Sequence, residues 1–524
     1  MSYQSLPILN NESASSVDKE KENEDNAPQL LNSKQVTSLI INRIVGTGIF
    51  TTPALIFQMC QGSIGISLLL WLIGGLTTFS GLAVYLTFGL KIPKNGGELN
   101  YLNKVIPKPK YLIESIYAFA IIILGFSSGN CFAFGKYILY VFGVDSNDDL
   151  SRIIGCGVIT SCVLLHIYLP NWAQKLNVFL GGFKIFILVV IVLCGVTSLV
   201  APSWITPQYT NFHNIWETTT TTNKNGSVPE NAKISIDWYL LSVALLQVIY
   251  SFKGWENANY VLGEIENPHK TLISATSYGV GLTTILYFAI VFSYYLIIPK
   301  DEISNTGVLI CGVFFTKIFE QYYAQSFAVK FVSKFLPLII TFSNYGNVLS
   351  VSYANARVNK ELANDHVFPF AKFFAKKSIN ASLWLHCFIT CAILIIPRNN
   401  TNLYELIINL YSYPGVILNI LIGVGLLHLT FKNIDQWNEI KVPFTSNTLL
   451  TGFFIFTNVF LTVVPLIPPS KKSLDFLQNQ GYPYWVFPVT GISILLLGAI
   501  YWALAIKPFL KNYKKNEYQS LLVK

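Results

Sequence analysis

Residues 41–50 read INRIVGTGIF, with Gly46 and Gly48 flanking Thr47 inside an otherwise apolar run. Each glycine weakens a helix by about 1 kcal/mol relative to alanine. In hydrocarbon an interrupted helix also leaves backbone N–H and C=O groups unpaired, at several kcal/mol each, unless something polar meets them. A double weakening at mid-helix therefore serves either close packing on a neighbour or a polar ligand. A second interruption favours the ligand. Residues 245–268, LLQVIYSFKGWENANYVLGEIENP, run from apolar helix into Ser251-Phe252-Lys253-Gly254 and then into a polar helical end. Lys253 is a charge within a span, which usually faces a cavity or a partner.

Composition sets the solvent. The chain has 524 residues, 52% hydrophobic and 12% charged, with a mean hydropathy of +0.48. A soluble domain carries about 25% charged residues, so most of this surface should face lipid. Twelve apolar runs approach the ~20 residues that cross a bilayer: 35–57, 64–90, 110–142, 152–169, 178–200, 236–262, 272–298, 328–355, 381–397, 402–429, 446–467 and 485–507. Residues 1–34 are polar, acidic and nearly free of aromatics, which reads as a disordered tail. That tail lacks the apolar core of a cleavable signal peptide. A second short tail covers 511–524. The eight cysteines form no CxxC pair and fall mostly in apolar runs, as small buried hydrophobes do.

Lysine and arginine set the direction of insertion. With the N-terminus in the cytoplasm, three basic stretches share that side: Lys91, Lys94, Lys104, Lys108 and Lys110; Arg357, Lys360, Lys372, Lys376 and Lys377; and Lys507, Lys511, Lys514, Lys515 and Lys524. The opposite loops are sparse, and an even number of spans puts both termini inside. The long outer loop 201–235 carries Asn225-Gly226-Ser227, a glycosylation acceptor pattern. Asn11 and Asn380 match the same pattern on the expected cytoplasmic side.

The first and sixth spans are five apart. Two inverted five-helix repeats, about 35–200 and 236–429, would set their interruptions opposite each other at mid-membrane, the best sequence pointer to a transporter site. Residues 446–507 then add two further helices. The N–H groups of Gly46, Thr47, Gly48 and Ile49 would be free at the positive end of a helix dipole, which suits a carboxylate. Free carbonyls of Ile44, Tyr250, Ser251 and Phe252 would suit an ammonium. A carboxylate and an ammonium a few ångströms apart describe an α-amino acid.

Four motifs carry a family resemblance. IVGTGIFTTP resembles the first-helix signature of the amino acid–polyamine–organocation superfamily. SFKGWENANYVLGEIENPHKTL is similar to the sixth-helix signature of its L-type branch. PKNGGELNYL and SYANARVNKELANDHVFP resemble segments after its second helix and at the end of its eighth. The likeness covers about residues 35–510, and GWENANYVLGEI with the acidic tail looks most like the fungal high-affinity methionine permeases. The resemblance implies an all-α membrane fold of twelve transmembrane helices. Its core would be a 5+5 inverted repeat (LeuT-like) with helices 1 and 6 broken. It also implies plasma-membrane import of methionine, with cysteine as a candidate second substrate, by proton symport without a heavy-chain partner; no cofactor is expected. The family's substrate clamp carries over to Gly46, Thr47, Gly48, Tyr250, Ser251 and Phe252. Many L-type relatives have glycine where Lys253 stands. Related sodium-driven folds place an ion where the first, fifth and eighth helices meet, and the resemblance puts Lys184 there. Ubiquitin-dependent removal would use Lys19, Lys21 and Lys34 of the tail.

Several residues keep two readings. Lys184 is isolated in the fifth span, where it either couples proton movement or snorkels to the cytoplasm. Lys253 and Glu256 are three apart and either pair on a helix face or line a substrate pocket. Tyr250, Phe252 and Trp255 could line and occlude a side-chain pocket. Ser127, Ser128 and Gly129 are small enough to face the site or simply to pack. Glu98, in GGELNY, orders a cytoplasmic loop or an inner gate. No HExxH, GxSxG, Walker loop or metal-spaced histidine cluster is present, which argues against an enzyme and against an ATP-driven pump that carries its own nucleotide site. An amino-acid sensor and an exchanger of large neutral amino acids remain as alternatives to a symporter. Segments of about 34 and 17 residues outside the first and last spans favour transport over sensing.

Overall fold

A computed structural model describes residues 30–144, 148–218, 237–323, 327–376, 379–395, 403–470 and 483–510. Asn225, Lys19 and Lys21 lie outside the described residues; Lys34 is described and exposed. The helices are α1 (Ser33–Ile44), α2 (Thr47–Met59), α3 (Ile64–Lys91), α4 (Glu98–Val105), α5 (Leu112–Leu124), α6 (Ser128–Phe142), α7 (Asp148–Tyr168), α8 (Pro170–Val200), α9 (Trp238–Phe252), α10 (Asn257–Tyr260), α11 (Pro268–Ile297) and α12 (Lys300–Ile303). They continue with α13 (Ile310–Tyr323), α14 (Phe327–Asn364), α15 (Ala371–Lys376), α16 (Ile379–Ile395), α17 (Leu403–Lys432), α18 (Thr448–Val463) and α19 (Val486–Tyr501). Each of the twelve expected apolar segments contains helix. Among the described residues, nine helical stretches are long and apolar enough to cross a membrane. The sixth and ninth segments fall short in length, at 15 and 17 residues. The eighth lies in the 38-residue α14, which carries Ser343, Asn344, Asn347, Ser350, Ser352 and Asn355, all buried, in place of an unbroken apolar run.

That polar face explains how the centre of the protein satisfies its backbone. Asn347 donates to the Arg43 carbonyl at 2.6 Å, Ser343 to the Val45 carbonyl at 3.4 Å and Asn355 to the Gly125 carbonyl at 2.5 Å. Gly125 ends α5, so the third expected span is two helices, interrupted at residues 125–127. The sequence reading treated it as one long span. Its GFSSGNC stretch carries the same kind of signal as the first interruption, glycines beside hydroxyl residues.

The entry to the bundle is pinned from both sides. Asn32 caps α1 in a reciprocal capping box with Gln35, which satisfies two orphan N–H groups. Just before it, the Leu31 N–H donates to the Glu264 carbonyl at 2.7 Å and the Glu266 N–H donates to the Leu31 carbonyl at 3.0 Å. Glu264 in turn receives Arg357 Nε of α14 at 2.7 Å on both oxygens. Helix α1 begins at Ser33, two residues ahead of the expected limit. All eight cysteines are free thiols, five of them buried.

One tight crossing lies where α9 ends. Gly254 has φ +132°, and a Cβ there would sit 2.3 Å from Arg43 Cγ and 2.7 Å from the Ile44 amide nitrogen. Gly281, inside α11, has nothing within 4 Å of the same position. Gly254→Ala should therefore lower stability by about 1–3 kcal/mol through strain and overpacking, whereas Gly281→Ala should be neutral or stabilising. Melting of the two purified variants in detergent checks this; equal melting temperatures would refute the close crossing.

Candidate functional site

Helix α1 stops at Ile44 and α2 starts at Thr47, with Val45 and Gly46 between them. Facing this junction, α9 stops at Phe252 and Lys253 takes an extended conformation, φ −62° and ψ 132°. A small cavity of about 20 Å³ lies between them. Its walls include Ile44, Gly46, Thr47, Gly48, Tyr250, Lys253, Ser127 and Gly129, all expected from sequence. They also include Arg43, Asn130, Asn347 and Tyr411, which sequence reasoning missed. That space has room for about one water, so an amino acid would need the walls to part.

Backbone bonding corrects the expected clamp. Of the four N–H groups taken as free, Gly46 donates to the Ile44 carbonyl at 2.9 Å and Thr47 donates to Asn130 Oδ1 at 3.1 Å. Gly48 and Ile49 stand in the first turn of α2, where N–H groups have no acceptor within their own helix. The Ile44 carbonyl accepts from both Gly46 N–H and the Tyr287 hydroxyl at 2.9 Å, which occupies both lone pairs. The Tyr250 carbonyl accepts from Lys253 N–H at 3.1 Å. Ser251 turns its hydroxyl to the Gln247 carbonyl and to Thr52. Phe252 packs its ring on Trp71 and Tyr287, away from the cavity. Gly48 itself serves packing: a Cβ there would lie 2.6 Å from Ser251 Cα, so α2 crosses α9 at glycine contact.

Lys253 and Glu256 do not pair. The extended backbone at Lys253 and the positive φ of Gly254 end the helical spacing that would bring them together. Lys253 Nζ instead lies 4.2 Å from the centre of the Tyr411 ring, a cation–π contact. Glu256 Oε2 accepts from the Gly254 N–H at 2.9 Å. On the hydroxyl side of the same tyrosine, the buried Arg43 guanidinium donates to Tyr411 Oη. Tyr411 thus separates two cations at the edge of the cavity. A buried arginine in the opening motif was the available signal for this contact; nothing local marked its partner.

Trp255, Glu256 and Glu98 belong to a second cavity of about 60 Å³, and Lys253 borders both. Ser127 lines the first and shares a 3.0 Å hydrogen bond with His386 Nε2. Ser128 is buried outside it. Lys184 sits apart from both, fully buried where α1, α8 and α14 meet. Its ammonium donates to the Asn42 carbonyl at 2.9 Å and to the Val45 carbonyl. The snorkelling alternative is therefore corrected: the side chain turns inward because the end of α1 offers it unpaired oxygens.

A family model described as "Amino acid permease" matches residues 31–506. The chain is 33% identical over 470 residues to the high-affinity methionine permease of Saccharomyces cerevisiae, covering 88% of this chain and 77% of that protein. It is 26% identical over 476 residues to the low-affinity methionine permease of the same yeast, covering 90% and 80%. It is 24% identical over 472 residues to the human cystine/glutamate transporter, covering 86% of this chain and 83% of that protein.

Tyr411→Phe should leave the aromatic face beneath Lys253 but remove the acceptor of Arg43. A buried cation that loses a partner costs about 1–3 kcal/mol, so the variant should melt several degrees below wild type, and Tyr411→Leu lower still. An unchanged melting temperature for Tyr411→Phe would show that the guanidinium does not depend on this hydroxyl.

Proposed function

The chain belongs to the amino acid permease family, and from that premise we propose that it imports methionine by proton symport across the plasma membrane. In this reading it spans the bilayer twelve times with both termini cytoplasmic, and its core is a pair of inverted five-helix repeats. The observation that carries the reading is the pair of facing helix interruptions around one cavity, Gly46–Gly48 against Tyr250–Gly254. Similarity to two methionine permeases supports the choice of substrate.

The substrate carboxylate would meet the Gly48 and Ile49 N–H groups at the positive end of α2. Its ammonium would turn to the carbonyls of Ser251 and Phe252 at the end of α9. The thioether would lie toward Tyr250 and Tyr411, which meet edge to face at 6.0 Å; sulfur packs well at aromatic ring edges. Tyr250 also reaches Thr47, hydroxyl to hydroxyl, at 3.3 Å, so opening the site would part these two helices.

Lys184 would supply the coupling. Its protonated ammonium ties together the carbonyls of α1 beside the substrate cavity; a neutral amine holds them less strongly. Substrate and proton would then favour the same arrangement of α1. In proteoliposomes with an inward proton gradient, the wild-type chain should concentrate labelled methionine, and unlabelled methionine should compete. Lys184→Ala should lose accumulation while keeping exchange of internal for external methionine. Wild-type accumulation by Lys184→Ala would remove the coupling role; failure of the wild type to take up methionine would remove the substrate.

The tail supports a further part of this proposal. Lys19, Lys21 and Lys34 would accept ubiquitin when substrate is plentiful, through movement of the adjoining α1. Replacing all three with arginine keeps the charge and should lengthen surface half-life after methionine addition; an unchanged half-life would exclude them.

A further inference from the structure

Glu98 opens α4, between two apolar spans, at the wall of the 60 Å³ cavity. Three buried tyrosines converge on its carboxyl. Tyr85 of α3 and Tyr260 of α10 lie 3.2 and 3.0 Å from Oε1, and Tyr117 of α5 lies 3.1 Å from Oε2. Each hydroxyl has one proton to donate. Tyr85 has two contacts, because its hydroxyl is also 2.9 Å from Asn419 Oδ1.

Hydrogen-bond direction resolves that conflict from a group that cannot turn. The main-chain carbonyl of Phe454 accepts from Asn458 Nδ2 at 2.7 Å. Asn458 therefore presents Oδ1, which accepts from Asn419 Nδ2 at 3.3 Å. Asn419 must then present Oδ1 to Tyr85, and the single Tyr85 proton goes there. Turning either amide would set two acceptors against each other. Tyr85 Oη can meet Glu98 Oε1 only as an acceptor, and so the carboxyl has to be the donor.

We propose that Glu98 is a proton-binding site of this protein, distinct from Lys184, and that its neutral carboxyl completes a hydrogen-bonded chain from α4 through Tyr85 and Asn419 to Asn458 and the carbonyl of Phe454. Losing the proton reverses Tyr85: its hydroxyl turns to the carboxylate, and Asn419 loses its donor. The tie between α4 and the pair α17–α18 is then cut. The role of that tie in transport rests on the permease reading above; the proton site itself does not.

Charge around the site agrees with this. Burial, and after it the negative charge of Glu256, push the Glu98 carboxyl up to about 7, against the opposing effects of the Tyr260 hydrogen bond and the Lys253 ammonium. The titratable groups that face it are Tyr85 from α3, Tyr101 from α4 itself, Tyr117 from α5, Tyr260 from α10, and Lys253 with Glu256 from the segment after α9. Tyr101 is engaged elsewhere, donating to Asn259 Oδ1 at 2.8 Å. The chain should thus be complete below neutral pH and cut above it. Polar side chains of the cavity, Thr77, Thr78, Ser412 and Asn419 among them, surround space for a few waters beside the carboxyl, which would serve to carry the proton. Lys253 borders this cavity and the substrate cavity alike, so occupancy of one is felt electrostatically in the other.

Infrared difference spectroscopy on the purified full-length protein in lipid nanodiscs, titrated between about pH 5 and 9, reads the proton directly. A protonated-carboxyl band should disappear with a midpoint near neutrality, and Glu98→Gln should lack it. Glu256→Gln, which removes the neighbouring negative charge, should move the midpoint down by roughly half a pH unit or more; Lys253→Met should move it up. No band titrating in this range, or a band that survives Glu98→Gln with its midpoint unmoved in the other two variants, would overturn the proposal. Because this measurement needs no transport, it succeeds or fails separately from methionine uptake. In proteoliposomes Glu98→Gln, fixed in the neutral-like form, should flatten the dependence of uptake on internal pH between about 6 and 8; the wild-type dependence in that variant would sever the tie from transport.

Discussion

Backbone carbonyls exposed by an interrupted helix must find donors, and the centre of this protein is arranged around that need. Where α1 stops, the Asn42 and Val45 carbonyls are met by the Lys184 ammonium, that of Arg43 by Asn347, and that of Ile44 by Tyr287. The donors come from α8, α14 and α11, so satisfying one helix end fixes the positions of three others. In hydrocarbon each unmet group would cost several kcal/mol, enough to decide the packing. The same requirement accounts for α14, whose long polar face would be out of place against lipid but supplies Ser343, Asn347 and Asn355 to the carbonyls where α1 and α5 end.

Two cavities result, and their division is chemical. The first is bounded by helix ends and by Tyr411, which holds Arg43 by its hydroxyl and Lys253 by its ring. The second is bounded by the Glu98 and Glu256 carboxyls, the amides of Asn419 and Asn458, Tyr85 and an apolar wall that includes Trp255 and Phe454. Lys253 is the shared wall. Its backbone leaves the helix at that residue, so its side chain lies across the end of α9 instead of along its flank. An amino-acid ligand in the first cavity would change the field at the second through a single ammonium.

Glycine plays different parts at neighbouring positions. Gly48 lets α2 touch the backbone of α9, whereas a side chain at Gly46 would meet only the amide ends of Asn130 and Asn347. The motif therefore joins two functions, close packing and an open polar wall, which are indistinguishable when read as GxG. That is why the expected clamp of four free N–H groups reduces to the first turn of α2.

Hydropathy and residue order alone determined the membrane class, the helical segments and the two facing interruptions, and they marked the isolated lysine of the fifth span. These are local properties: the length of an apolar run, a glycine pair, a charge where none should be. They also pointed to eight of the residues that line the first cavity. Only the tertiary structure decided which backbone groups stay unpaired, that the third segment is interrupted at Gly125, that Arg43 finds Tyr411, and that Glu98 is enclosed by three hydroxyls. Those contacts join residues far apart in the chain, 368 positions for Arg43 with Tyr411 and 334 for Tyr85 with Asn419. A polar side chain's partner, and hence the direction of its hydrogen bond, depends on which helices become neighbours. Periodicity along one helix carries no record of that choice.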